Sequence, residues 1–350
     1  MKIKFKSVCV ILLAGIMGIF ASGCQEGDKQ QAENAENYGE YIPFEAATEI
    51  VSGRDDIYAV LKVVTSQYWQ DIIKGMTDAA NEKDCNLYVG GCVVESDFAV
   101  QAQMMEEANK RGAEAIVLAP ANSNELVEPV KRIHDSGIPV ILVDTILNGE
   151  DYDTCFMTDN LKAGAMAAEE VIRLMRENGV MDYEDARIAV QIASESSQTI
   201  IDRIAGFNQY WSVYAPPTWE LIDDIKVNDG DLKKAKQNCL DFIDEYPDLK
   251  AVVGCNNSST VGFVQGLKES GRTDIVLSGF DFADETAEFI KSPDWKAATV
   301  VQRQYNMGYD GTLMAVELIN GASPDYKFAD TGVLIVNSGN YDSYVKEVNN

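Results

Sequence analysis

From Ile57 onward the chain repeats one pattern: a short apolar run, a polar or small residue, then an amphipathic helical stretch. Strands that alternate with helices form parallel sheets joined by right-handed crossovers. Residues 115–119, Ala-Ile-Val-Leu-Ala, are apolar without a break, as a parallel strand covered on both faces should be. Pro120 ends that run, and Pro139 sits at the start of the next strand, 138–143, where a missing N–H does least harm. A first series of strands is expected at 57–64, 86–90, 115–119 and 138–143. Residues 57–64 are closed by Thr65 and Ser66, and Ser123 is expected to cap the third helix. A second series is expected at 187–193, 221–226, 251–254, 275–279, 297–301 and 333–336, with helices between. The expected fold is α/β, with two doubly wound, Rossmann-like parallel-sheet domains.

Length supports two domains. A single core stops growing at ~250–300 residues, and the 350-residue chain exceeds that even without its first segment. That segment, 1–23, has Lys2, Lys4 and Lys6 followed by an apolar run over 8–20. The run is too short to span a bilayer, which takes about 20 residues, and it suits a secretory signal. Ala21-Ser22-Gly23 then precede Cys24. The arrangement resembles a bacterial lipoprotein signal, which implies lipidation of Cys24 and a membrane anchor. An ordinary cleaved signal with an incidental cysteine is the plainer alternative. Residues 24–56 are polar and read as a flexible tether.

The net charge of −27 repels phosphate backbones and anionic membrane surfaces. Nucleic acid is therefore excluded as a partner, and membrane attachment must come from a lipid. Cys85, Cys92, Cys155, Cys239 and Cys255 are odd in number and show no CxxC spacing. They read as small buried apolar residues, with a Cys85–Cys92 hairpin bridge as the alternative. With one histidine in the chain, neither a metal site nor any cofactor is expected. Sequences for dinucleotide, P-loop or nucleophile-elbow chemistry are absent, so no enzyme activity is expected.

Open parallel sheets bind ligands beyond the carboxyl ends of their strands. The residues there are Thr65, Ser66, Asp144, Thr145, Ser194, Asn256, Asn257, Asp281 and Gln302. As read from the sequence, this set contains carboxylates and amides but no cation. Such groups suit hydroxyls, which both donate and accept. Tyr68 and Trp69 open the first helix beside them, and aromatic faces suit the C–H faces of sugar rings. Helix capping is the plainer reading of Asp144 and Asp281. Their equivalent positions in two domains favour a facing cleft.

Further marks run along residues 57–340. They are Ser66-Gln67-Tyr68-Trp69 with Gly75, Arg111-Gly112-Ala113-Glu114-Ala115-Ile116, Gly137-Ile138-Pro139-Val140 up to Asp144, and Thr158-Asp159-Asn160 with Gly164. Arg203-Ile204-Ala205-Gly206-Phe207, Asn256-Asn257 with Gly262, Gly279-Phe280-Asp281, and Gln302 with Gly308 follow. In this order they resemble the periplasmic sugar-binding proteins of the ribose- and galactose-binding type, which feed ABC importers. The resemblance implies a type I periplasmic-binding-protein fold with a three-crossing hinge. Residues 57–158 with 303–330 would form one lobe, and 159–302 with 331–350 the other. It further implies ligand contacts from Asp144, Asn256, Asp281 and Gln302, and hinge crossings at Thr158-Asp159-Asn160, at Gln302-Arg303 and near Asp330. Ser66 and Thr145, at strand ends, and Asp159 are expected to contact the ligand as well. Tyr68 and Trp69 would sandwich the sugar ring, and Arg203 would be a flanking structural arginine. Ribose-type members carry ligand arginines where this chain has Thr145 and Ile201, which speaks against ribose. The implied function is capture of a sugar or polyol by an extracytoplasmic, lipid-anchored monomer, on the outer face of the cytoplasmic membrane or in the periplasm. The solute would pass to an ABC permease. A sensory protein that presents its ligand to a membrane receptor or histidine kinase is the alternative. A repressor of the related sugar-responsive family would need a basic helix-turn-helix where this chain has a signal and an acidic tether.

Overall fold

A computed structural model describes residues 40–348. The expected signal segment, Cys24 and the tether up to residue 39 lie outside the described residues. The first elements are β1 (Tyr41–Ala46), β2 (Asp56–Leu61), α1 (Gln67–Glu82), β3 (Asn86–Cys92), α2 (Phe98–Lys110), β4 (Ala115–Leu118), α3 (Val127–Asp135), β5 (Val140–Val143) and β6 (Thr154–Met157). There follow α4 (Asn160–Glu177), β7 (Ala186–Ile192), α5 (Gln198–Tyr214), β8 (Trp219–Leu221), β9 (Lys226–Val227), α6 (Leu232–Glu245), β10 (Leu249–Gly254), α7 (Asn257–Ser270), β11 (Val276–Phe280), α8 (Asp284–Lys291) and β12 (Ala297–Gln302). The chain ends with α9 (Gln304–Ile319), β13 (Ala329–Asp330), β14 (Val333–Asn337) and α10 (Tyr341–Val348).

Two sheets result. One runs β1-β3-β2-β4-β5-β6-β13 and the other β14-β12-β11-β10-β7-β8, with β9 also on β7. All pairs are parallel except β1 on β3 and β14 on β12. The chain passes between the sheets after Met157, after Gln302 and after Asp330. These passages are tied together: the Asp330 carboxylate accepts from the N–H of Asp159 at 3.1 Å and of Gly332 at 2.9 Å. The N–H of Thr331 donates to the Met157 carbonyl at 3.0 Å.

The helices after the first two passages are held by the same device. The α1 stripe of Trp69, Ile72, Met76 and Ala79 is buried at helical spacing, and α9 lies against it. A Cβ on Gly75 would sit 2.1 Å from the Tyr305 carbonyl oxygen, and one on Gly308 would sit 2.1 Å from that of Ile72. In the other lobe, Gly164 of α4 and Gly206 of α5 press equally close to Arg203 and Leu161, at 2.0 and 1.9 Å. Each crossing helix therefore lies backbone to backbone against the helix that carries site residues, α1 or α5.

The structure corrects several expectations. Residues 41–46, placed in the tether, form an edge strand in which Phe44 packs on Tyr58 with ring centroids 5.0 Å apart. The strand expected at 57–64 ends at Leu61, and the one expected at 221–226 is two short strands, β8 and β9. Ser123 does not cap α3; its hydroxyl accepts from the N–H of Gln198, the first residue of α5 in the other lobe, at 3.0 Å. Cys85 and Cys92 stand at opposite ends of β3, ~20 Å apart at strand rise, so they do not bridge. The five cysteines among the described residues are buried free thiols.

Candidate functional site

The switch points of the two sheets lie between β2 and β4 and between β7 and β10, where ligand crevices form. A cavity of about 400 Å³ joins them. Ser66, Tyr68, Trp69, Asp144, Asn256, Asp281 and Gln302 all line it, as do Lys62, Glu95, Thr199 and Arg203. One side is closed by bonds between the lobes. The Thr199 hydroxyl donates to the Asp144 carbonyl at 3.0 Å and lies 2.9 Å from that of Thr145. The Ser123 N–H donates to the Ser196 carbonyl at 3.2 Å.

Asp144 and Asp281 follow β5 and β11 directly and share one conformation. Their φ angles are 66° and 70°, in the left-handed region that a non-glycine residue seldom adopts outside tight or functional sites. The N–H of each donates to the adjacent strand, Asp144 to the Phe156 carbonyl at 3.0 Å and Asp281 to that of Val300 at 2.9 Å. Neither caps a helix: α8, which follows Asp281, is preceded by Ala283, and α4, the next helix after Asp144 to be capped by a side chain, is capped by Asp159.

Around Asp144 both carboxylate oxygens already accept. Lys62 Nζ donates to Oδ2 at 2.8 Å and the Thr145 hydroxyl donates to it at 2.7 Å, while the Tyr68 hydroxyl donates to Oδ1. Burial alone would push this carboxyl up. The Lys62 ammonium, with the bonds from Lys62, Tyr68 and Thr145, outweighs it and holds Asp144 below its ordinary range. Burial and the nearby Asp144 raise Tyr68 well above the ordinary phenol value, so the phenol stays a donor.

Around Asp281 the shell is open. Gln302 Nε2 donates to its Oδ1 at 2.8 Å, whereas Gln302 Oε1 is buried without a partner. Burial pushes Asp281 up to about 6, with Asp144 and Glu95 adding to the rise and Arg203 and Gln302 opposing it. Arg203 lies over the Phe280 ring at 4.2 Å. Its Nε donates to Asn160 Oδ1 and its Nη1 to the Cys255 carbonyl, each at 2.8 Å. Its Nη2 is buried and unpartnered. Arg203 and Gln302 both line the cavity, and each leaves a buried polar atom unsatisfied, a costly arrangement.

Several expected roles change. Thr145 is fully buried behind Asp144 and does not line the cavity; it supports the carboxylate. Asp159 also lies outside the lining, because its side chain caps α4 by accepting from the Lys162 N–H at 3.0 Å. The amide of Asn256 faces the cleft but is engaged by Ser258 and Ser259 at the start of α7. Tyr68 and Trp69 meet edge to face, 79° between planes, so they cannot clamp a ring between parallel faces. Nor is the cleft free of cations. Lys62 lies just past the end of β2 and Arg203 is not only a flanking structural arginine, since both line the cavity. Among the described residues no group of side chains could hold a metal ion, and no helix is long and apolar enough to cross a membrane.

Comparison with known proteins agrees with this geometry. The D-allose-binding periplasmic protein of Escherichia coli (strain K12) is 24% identical over 288 residues, covering 78% of this chain and 89% of that protein. The D-apiose import binding protein of Actinobacillus succinogenes is 24% identical, covering 75% and 83%. An ABC transporter solute binding protein from Agrobacterium vitis, solved with bound D-fucose, superposes with a TM-score of 0.77. It is 29% identical, covering 83% of this chain and 98% of that one. A carbohydrate transporter solute binding protein from Agrobacterium radiobacter, in complex with D-arabinose, gives 0.80 at 24% identity, covering 85% and 99%. The periplasmic binding protein domain model matches residues 57–323. The chain therefore belongs to the periplasmic binding protein family of extracytoplasmic, type I, sugar-binding solute receptors of ABC transporters, which are not enzymes.

Proposed function

We propose that this protein is anchored by a lipid on Cys24, captures a neutral sugar or sugar-like polyol between its lobes, and delivers it to an ABC permease as a monomer. The observation that carries the ligand class is the unsatisfied pair, Arg203 Nη2 and Gln302 Oε1, beside the open carboxylate of Asp281. A sugar hydroxyl can accept from the guanidinium and donate to the amide or carboxylate in one stroke. Trp69 would offer its face to the ring, and Asp144 would supply an acceptor already oriented by Lys62, Tyr68 and Thr145. The lobes would close by bending at the three adjacent chain passages. Relatives whose names carry allose, apiose and fucose support the reading. Ribose fits poorly: an arginine is missing at Thr145, and Lys62 supplies the cation at Asp144 instead.

The test is thermal unfolding of the full chain against pentoses, hexoses, disaccharides and polyols. Ligand at 100-fold excess over Kd adds about 2.7 kcal/mol of stability, and a panel without any shift removes the sugar reading. For the anchor, Cys24→Ser is expected to release the protein from membranes. Retention of that variant would count against the lipid.

A further inference from the structure

The cleft continues beyond its polar inner end. Its outer lips are the loop from β3 to α2, with Val93, Val94 and Glu95, and the loop from β9 to α6, with Asp229, Gly230, Asp231 and Leu232. Val93, Val94 and Leu232 are large apolar side chains left 52%, 48% and 41% exposed, and they lie on the two lips of one cavity. The acids on the second lobe's lip are already used by that lobe. Asp229 pairs with Lys234 at 2.6 Å, and Asp231 accepts from the N–H groups of Lys233 and Lys234.

Glu95 differs. It is partly buried and lines the cavity, yet its carboxylate makes no hydrogen bond to any described residue. It also reaches the opposite lip. A Cβ on Gly230 would lie 3.2 Å from Glu95 Oε2, and Gly230 holds a φ of 78°, which a side chain would strain. The bare glycine leaves room for a carboxylate from the other lobe, and that carboxylate keeps its accepting capacity for something in the cleft. Cavities of about 300–1,000 Å³ engulf ligands of drug size. At about 400 Å³ this one has room for more than a single sugar ring.

We propose that the outer end is a second subsite and that the ligand is a disaccharide rather than a free monosaccharide. Glu95 accepts a hydroxyl of the second unit, and Val93, Val94 and Leu232 pack on its C–H faces. This rests on the sugar reading of the inner end.

The test is isothermal titration of the full chain with maltose, cellobiose, lactose, melibiose and sucrose, beside glucose, galactose and fructose. At least one disaccharide is expected to bind about tenfold more tightly than either of its units. Glu95→Ala should shrink that ratio about tenfold, since a hydrogen bond to a charged group is lost. Glu95→Gln, which keeps the shape, should shrink it less. Monosaccharides that bind as tightly as every disaccharide overturn the second subsite and leave the sugar reading standing. A preference that survives Glu95→Ala overturns its assignment to this lip. No binding by any of these sugars overturns the second subsite, and the sugar reading falls with it only if the wider panel of pentoses, hexoses and polyols also fails.

Discussion

Asp144 and Asp281 occupy the same place in the two lobes and differ in almost everything the backbone does not set. Each ends a parallel strand, each turns through a positive φ, and each donates its N–H to the next strand. Asp144 is met by an ammonium, a phenol and a hydroxyl. Asp281 is met by one amide, while Arg203 influences it without forming an ion pair. The fold repeats a position, and the neighbours decide its chemistry. The surroundings of Asp144 are complete before any ligand arrives, whereas those of Asp281 have bonding capacity left over. Removing each carboxylate should separate the two. Asp144→Ala strands Lys62, of which only 7% of the side chain is exposed, as a buried uncompensated charge, and should cost about 3–5 kcal/mol. Asp281→Ala gives up one amide bond but removes a carboxylate that is costly to keep ionised in the folded chain, so urea unfolding near neutral pH should show no loss and a gain of up to about 2 kcal/mol. Equal losses for the two variants would mean that the halves are alike after all.

Acidity sharpens the same contrast, because the shifts have opposite signs. Asp281 is raised from 3.8 to about 6 on folding, so between those values the folded chain holds more protons than the unfolded one. Its contribution to stability therefore worsens as pH rises through this window, by up to about 3 kcal/mol. Asp144 is lowered. The stability it supplies is present above 3.8 and is lost only as pH falls below that, through its folded value. Across pH 4–7, Asp281→Asn should gain stability over the parent steadily as pH rises. Asp144→Asn should stay below the parent by a nearly constant amount. Two difference curves of the same slope would show that the aspartates share one environment.

Much of this was legible in the chain. Apolar runs ending in polar residues announced parallel strands, and the strand-end rule drew attention to Asp144, Asp281 and Gln302. Gly75, Gly164, Gly206 and Gly308 stood out as marks of resemblance, and backbone contact between helices gives them a physical reason. What escaped was fixed by position along a strand or by contact across the cleft. Lys62 looked like part of a strand running to Val64; the strand stops at Leu61, and because side chains alternate, a small error at a strand end changes which residue faces the ligand. Glu95 lies in a loop without periodicity or motif. Arg203 sits on a helix face whose orientation depends on Gly164 and Gly206. Asp159 and Thr145 were near the right edge but are turned to a helix cap and a supporting bond. The strand at 41–46 was hidden by its polar surroundings, since an edge strand needs only one buried side chain, here Phe44.

The smallest effect concerns the joint between the halves. Thr199, on the second lobe, donates to the Asp144 carbonyl and touches the Thr145 hydroxyl. It therefore links the completed half to the open one, and only while the lobes are together. Thr199→Val keeps the shape and deletes the hydroxyl, at about 1 kcal/mol. If the two halves are built independently and meet on closure, that cost falls on the closed state. Ligand affinity should then weaken about fivefold, while the unfolding midpoint of the ligand-free chain stays close to the parent's. Thr145→Val removes a bond inside the first lobe as well, so it should also lower the unfolding free energy of the ligand-free chain by about 1 kcal/mol. The reverse pattern, a Thr199 variant that unfolds early yet binds normally, would mean that the lobes are already locked without ligand. The contrast between a finished half and a waiting half would then describe one rigid body.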